Sequence, residues 1–108
     1  MKVMILESDP KERDEISKML EHCDIKYVST ITTAINSLGL EHVDKAFVDA
    51  DYQNKIYDWK ELTSFLQALD IDYSVFSSNG KVGFKDGIEI ISIKDLAEFI
   101  SVEVPEVV

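Results

Sequence analysis

The stretch Lys2-Val3-Met4-Ile5-Leu6-Glu7-Ser8-Asp9-Pro10 decides the fold. Lys2-Leu6 is apolar almost throughout, as in a strand buried on both faces, and does not alternate between core and water. The run then stops on two acids and a proline. Asp9 suits a helix N-cap, Pro10 the first helical position, and Glu12 the closing residue of a capping box. Ile16, Met19, Leu20 and Cys23 follow at i, i+3, i+4 and i+7, which makes one buried helical stripe. A doubly buried strand that feeds a helix belongs to a parallel sheet covered on both sides.

The same alternation repeats outward from this unit. Ile25-Ser29 reads as a second strand, and Ile31, Ala34, Ile35 and Leu38 as a helical face that Gly39 ends as a C-terminal cap. Lys45-Val48 is the third strand and closes on Asp49-Ala50-Asp51. Asp58-Trp59-Lys60-Glu61 is another capping box, ahead of the apolar face Trp59, Leu62, Phe65, Leu66 and Leu69. Tyr73-Ser77 is a fourth strand and Ile88-Ile91 a fifth, with Ser92 capping a last helix that carries Leu96, Phe99 and Ile100. Right-handed crossovers then give a doubly wound, flavodoxin-like α/β fold with five parallel strands in the order 2-1-3-4-5. Between strands four and five, Ser78–Gly87 holds three of the chain's four glycines. A full helix is not expected there. Residues 1–101 form the domain, and 102–108 an apolar tail, either an added edge strand or the start of a linker.

The 108 residues allow one core, and the balance of 11 Lys and Arg against 21 Asp and Glu gives a net charge of -10. Such a surface repels phosphate backbones and anionic lipid, so neither nucleic acid nor a membrane is an expected partner. No run approaches a membrane span or a secretory segment, and a cytoplasmic domain is expected. One cysteine, Cys23, excludes an internal disulfide and a cysteine-built zinc site. On the apolar face of its helix, it reads as a small buried hydrophobe.

In an open parallel sheet, ligands collect beyond the carboxyl ends of the strands. Here those ends deliver Glu7, Ser8 and Asp9 from strand one, Asp49 and Asp51 from strand three, and Ser77 and Ser78 from strand four. Clustered carboxylate oxygens suit Mg²⁺ and repel one another without it. Asp9 is accounted for as a cap. Asp49 is too far from the next helix to be one, which makes it the strongest candidate for a site. Ser77 and Ser78 have the plainer alternative of bonding loop backbone. No glycine-rich phosphate loop follows strand one, and no Ser-His-Asp set suggests itself, so an enzyme is not expected.

These residues resemble the receiver domain of bacterial two-component response regulators over nearly the whole chain. The matching pieces are Ile5-Leu6-Glu7-Ser8-Asp9-Pro10 with Arg13, Val43-Asp44-Lys45-Ala46-Phe47-Val48-Asp49, and Val75-Phe76-Ser77-Ser78. The resemblance implies a phosphoryl acceptor at Asp49, Mg²⁺ ligands at Glu7 and Asp9 together with Asp49, and a switch hydroxyl at Ser77. It also implies a protein partner, a histidine kinase or an effector domain. Two departures bear on the chemistry. Ser8 stands where the family has its principal metal carboxylate, and Ser92 where it has a lysine, with Lys94 two residues on. The short Ser78–Gly87 segment removes most of the family's fourth helix.

The expected function is therefore a receiver-like signalling domain that works as a protein-interaction module, with weak or absent phosphorylation of Asp49 and weak Mg²⁺ binding. The alternative is a working Mg²⁺-dependent phosphoacceptor in which Lys94 or Lys85 reaches the phosphoryl group. An unrelated flavodoxin-like domain without a signalling role remains a third reading. Loss of the fourth helix leaves Phe84, Ile88 and Ile90 as an expected apolar patch, which either the 102–108 tail covers or a homodimer uses through the strand-four, strand-five and C-terminal region.

Overall fold

The computed structural model describes residues 1–52 and 58–101. In chain order the elements are β1 (Lys2–Leu6), α1 (Pro10–Met19), β2 (Asp24–Val28), α2 (Ile31–Leu40), β3 (Lys45–Asp49), α3 (Trp59–Ala68), β4 (Asp72–Ser77), β5 (Gly83–Lys85), β6 (Ile88–Ser92) and α4 (Leu96–Ser101). A single 3-10 turn, Ile93–Asp95, leads into α4. The sheet order is β2-β1-β3-β4-β6-β5. The pairs β1 with β2, β1 with β3, β3 with β4 and β4 with β6 are parallel, and β5 with β6 is antiparallel. The doubly wound α/β fold expected from the alternation is present, and the expected fifth strand is β6.

Strand residues of β1 and β3 divide by parity between two cores. Met4, Leu6, Ala46 and Val48 face α2 and α3, against Ile31, Ala34, Leu62 and Leu66. Val3, Ile5 and Phe47 face α1 and α4, against Ile16, Leu20 and Leu96. Burial on both faces explains why these strands read as unbroken apolar runs, since neither side meets water. Each large side chain so buried contributes about 1.5–3 kcal/mol. Among the described residues no helix is long and apolar enough to cross a membrane.

Short polar side chains start the helices. Asp9 accepts from the Lys11 N–H at 3.0 Å, Thr30 from Thr33 at 3.1 Å, Asp58 from Lys60 at 2.7 Å, and Ser92 from Lys94 at 3.3 Å. The capping box expected from Glu12 does not form on Asp9. The Asp9 N–H donates instead to Glu7 Oε2 at 3.2 Å, because that buried carboxylate lies two residues away. Gly39 is not a cap either. It lies inside α2, which runs on to Leu40 with Glu41 as its C-cap. Cys23 falls beyond α1, half-buried, its N–H on the Leu20 carbonyl at 2.9 Å.

The main correction concerns the glycine-rich segment between β4 and β6. It forms no helix, as expected, but it does form β5, a sixth strand folded back on β6. Lys85 pairs with Ile88, so the connection is the two residues Asp86 and Gly87, with φ of 53° and 81°. Positive φ at both positions is the primed hairpin turn for which Asp-Gly is suited. The Asp86 carboxylate pairs with the Lys60 ammonium, tying the turn to the start of α3. The expected patch changes with it: Phe84 is exposed, Ile88 half-buried, and Ile90 buried in the α2–α3 core. The tail 102–108 lies outside the described residues.

Gly87 meets nothing within 4 Å of an added Cβ, so its replacement costs backbone conformation and not space. Gly87→Ala is expected to lose about 1 kcal/mol, read as a lower urea midpoint with unchanged slope. An unchanged midpoint would contradict this turn geometry.

Candidate functional site

Strands β1, β3 and β4 run parallel and end side by side, which brings their terminal residues to one edge of the sheet. Glu7, directly after β1, is 4% exposed; Asp49 at the end of β3 is 8% exposed; Ser77 at the end of β4 is 1% exposed. Ala50 N–H donates to the Phe76 carbonyl at 2.8 Å, and Glu7 N–H to the Val28 carbonyl at 3.0 Å, so ladder bonds hold the loops at this edge. Three of the four site residues named from the sequence therefore meet in a buried position. Asp9, the fourth, is exposed and occupied as the cap of α1.

Glu7 accepts from the Asp9 N–H through Oε2, while its Oε1, buried, takes no hydrogen bond among the described residues. Burial raises its pKa, opposed by the Asp9 N–H and reinforced by the nearby charges of Glu12 and Asp9. Asp49 accepts from the Asp51 N–H at 2.8 Å. Burial pushes Asp49 up to about 7 against this bond, with repulsion from Glu7, Asp51 and Glu12 adding to the effect.

Asp51 organises the hydroxyl side of the site. Ser77 Oγ donates toward its carboxylate at 3.2 Å, and Ser78 donates to Oδ2 through its N–H at 3.1 Å and its Oγ at 3.2 Å. Ser77 Oγ also lies 2.7 Å from Asn79 Oδ1 and accepts from the N–H groups of Asn79 and Lys81. The sequence placed Asp51 at this strand end without a role; the signal was a second acid two residues after Asp49, beside a strand ending in two serines. Arg13, in the sequence only a part of the first motif, has a structural role here. Its guanidinium donates to the Glu7 carbonyl and, at 2.8 Å, to Ser29 Oγ, and it lies 5.1 Å from the Tyr27 ring centroid. Tyr27 in turn donates to the Arg13 carbonyl at 2.8 Å. That lattice fixes the main chain carrying Glu7.

The cations of the site are few. Among the described residues neither Lys85 nor Lys94 pairs with Glu7, Asp49 or Asp51, and Lys94 is exposed. Ser92 is the register neighbour of Ser77 and caps the 3-10 turn, the structural role its sequence allowed. The unpartnered Glu7 oxygen and the buried Asp49 carboxyl are hard oxygen donors of the kind Mg²⁺ takes. Ser8 is exposed and brings no charge, Asp9 is spent as a cap, and no group of three or more His, Cys, Asp or Glu is arranged for a metal among the described residues. The fit to Mg²⁺ is thus partial, with Glu7 and Asp49 as the residues able to contribute.

No protein-family model matches the sequence, and no curated protein matches it. Solved structures do. A CheY-like response regulator receiver domain from Methylobacillus flagellatus has a TM-score of 0.72 at 17% identity, with 94% of this chain and 97% of that one covered. The N-terminal domain of a response regulator/sensory box/GGDEF protein from Carboxydothermus hydrogenoformans has 0.75 at 12%, covering 94% and 89%. A chain from the complex of histidine kinase ThkA with response regulator protein TrrA has 0.77 at 9%, covering 96% and 98%. The chain has the fold of CheY-like response regulator receiver domains.

Proposed function

We propose that this receiver-fold chain is a signal-transduction domain acting mainly as a protein-interaction module, with weak or absent phosphorylation of Asp49. The observation that carries the reading is the engagement of Ser77. Its hydroxyl is held by the Asp51 carboxylate and by Asn79, and is not available to follow a group on Asp49 without breaking those bonds.

The electrostatics point the same way. Phosphoryl transfer needs an ionised nucleophile and cations that neutralise the equatorial oxygens. Asp49 is raised to about 7, chiefly by burial, and the acids Glu7, Asp51 and Glu12 repel its charge. A phosphoryl group would add negative charge to that set. A protein partner fits the fold, since one structural relative comes from a complex of a histidine kinase with a response regulator. An acidic chain of net charge -10 supports a cytoplasmic partner protein over nucleic acid or membrane.

One observation favours the second reading, a Mg²⁺-dependent phosphoacceptor: the unpartnered Glu7 oxygen beside Asp49, which a cation would satisfy. Calorimetric titration separates the two. Weak Mg²⁺ binding, unsaturated at sub-millimolar concentration, is expected, because two carboxylates must offset the cost of dehydrating the ion. Tight sub-millimolar binding lost in Glu7→Gln would promote the phosphoacceptor.

A further inference from the structure

A cavity of about 400 Å³ lies between the start of α3 and the β5–β6 hairpin, with Asp51 and Asn79 of the hydroxyl network in its wall. Trp59 and Ile90, buried at 4% and 8% exposure, form its floor, Val82 and Phe84 supply its exposed apolar surface at 57% and 77%, and Lys81 and Lys85 supply cations. Its volume falls in the range of ligand-binding clefts. Its charge is set against that of the chain. In a protein of net charge -10, Lys81 and Lys85 stand in no ion pair among the described residues, as Lys11, Lys18 and Lys94 do not, and they are the two of these that border the cavity, Lys85 beside Asp86. Asp51 is the acid on its wall, and its oxygens already receive Ser77 and Ser78.

Strand β5 is the last strand of the sheet among the described residues and pairs only with β6, so its outer side offers a peptide edge. An extended segment can add to such an edge through main-chain hydrogen bonds, with alternate side chains turned toward the adjoining face. The lysines that discourage pairing with a neutral or basic strand attract an acidic one. We propose that the open edge of β5 and the adjoining cavity form one docking site for an acidic, extended segment of a partner protein. Its apolar side chain lies against Val82 and Phe84, over the edge of Trp59, and its carboxylates meet Lys81 and Lys85. The proposal rests on the reading of the chain as an interaction module and names the chemistry of its partner. Lys81 also donates its N–H to Ser77 Oγ at 3.3 Å, so an occupied cavity touches the same turn that holds the switch-position hydroxyl.

The test uses the full chain and two capped heptapeptides, Glu-Glu-Val-Phe-Val-Glu-Glu and its counterpart with every Glu replaced by Lys. Amide NMR titration is expected to move the indole N–H of Trp59, the chain's one tryptophan, together with amides of residues 81–85, for the acidic peptide only. The double variant Lys81→Glu, Lys85→Glu, exposed at both positions, is expected to keep its dispersed spectrum and weaken binding by at least about tenfold. Equal binding of the basic peptide, shifts confined to other elements, or no shift at millimolar peptide would overturn the proposal. So would a dimer in sedimentation that Phe84→Glu dissolves, since that assigns the edge to a second copy. Failure here leaves the chemistry of Asp49 as it was, whereas a phosphorylated Asp49 would overturn the interaction-module reading even with the peptide bound.

Discussion

Asp49→Asn is expected to stabilise the protein at pH 8 by about 2–4 kcal/mol and to lose that advantage as the pH falls to about 4. The folded chain holds the Asp49 proton up to about 7, against 3.8 for the ordinary side chain. Between those values folding takes up a proton, so the contribution of Asp49 is fully present below about pH 4 and lost as the pH rises through about 7. Its ceiling is about 4 kcal/mol, from a little over three pH units at about 1.4 kcal/mol each. Glu7 is raised by the same cause and acts in the same direction. Asparagine keeps an oxygen for the Asp51 N–H and carries no charge to bury, which is why the gain appears only where Asp49 would be ionised. Urea unfolding from pH 4 to pH 8 reads this directly. A variant less stable than the parent at pH 8, or one with the parent's full pH dependence, would show that the carboxylate is structural.

Asp51→Ala is expected to act oppositely, costing about 1–3 kcal/mol, because it removes the charged acceptor of the Ser78 N–H and Oγ and leaves those donors unmet in a partly buried site, while Ser77 Oγ keeps Asn79 Oδ1. Asp51→Asn retains one acceptor oxygen and should lose roughly half as much. Hydrogen exchange locates the effect: the Ser78 amide, bonded to Asp51 Oδ2, should lose protection before the strand amides of β3 and β4. Uniform loss of protection, or no loss of stability in the alanine variant, would remove Asp51 from its organising position.

The strand-helix alternation was legible because burial on both faces writes an unbroken apolar run at Val3-Leu6 and Ala46-Val48, and capping writes Asp9-Pro10 and Asp58. Parallel strands that end together then brought Glu7, Asp49 and Ser77 to one edge, as their order in the chain implied. β5 escaped notice because its three residues are all exposed and carry no alternation. Its signal lay in the turn, where Asp86-Gly87 is the two-residue pattern that positive φ demands. The part played by Asp51 was hidden for another reason. A carboxylate reaching across to two serines 26 and 27 residues later is a tertiary contact with no local spacing to announce it. Glu12 and Gly39 misled in the reverse sense, since each has the residue type of a cap while a neighbour, Glu7 in one case and Glu41 in the other, takes the place.

The state of Asp49 under phosphorylating conditions tests the account most directly. The full chain would be incubated with a small phosphodonor and excess Mg²⁺, and its intact mass followed over time beside that of Asp49→Asn. The parent is expected to gain little or no phosphoryl mass and to match the variant, because Ser8 adds no carboxylate to hold Mg²⁺ and, among the described residues, neither Lys85 nor Lys94 pairs with the acids of the site, which leaves few cations to stabilise the transferring group. Near-complete addition of one phosphoryl group to the parent and none to the variant would contradict it, and would make the chain a working phosphoacceptor.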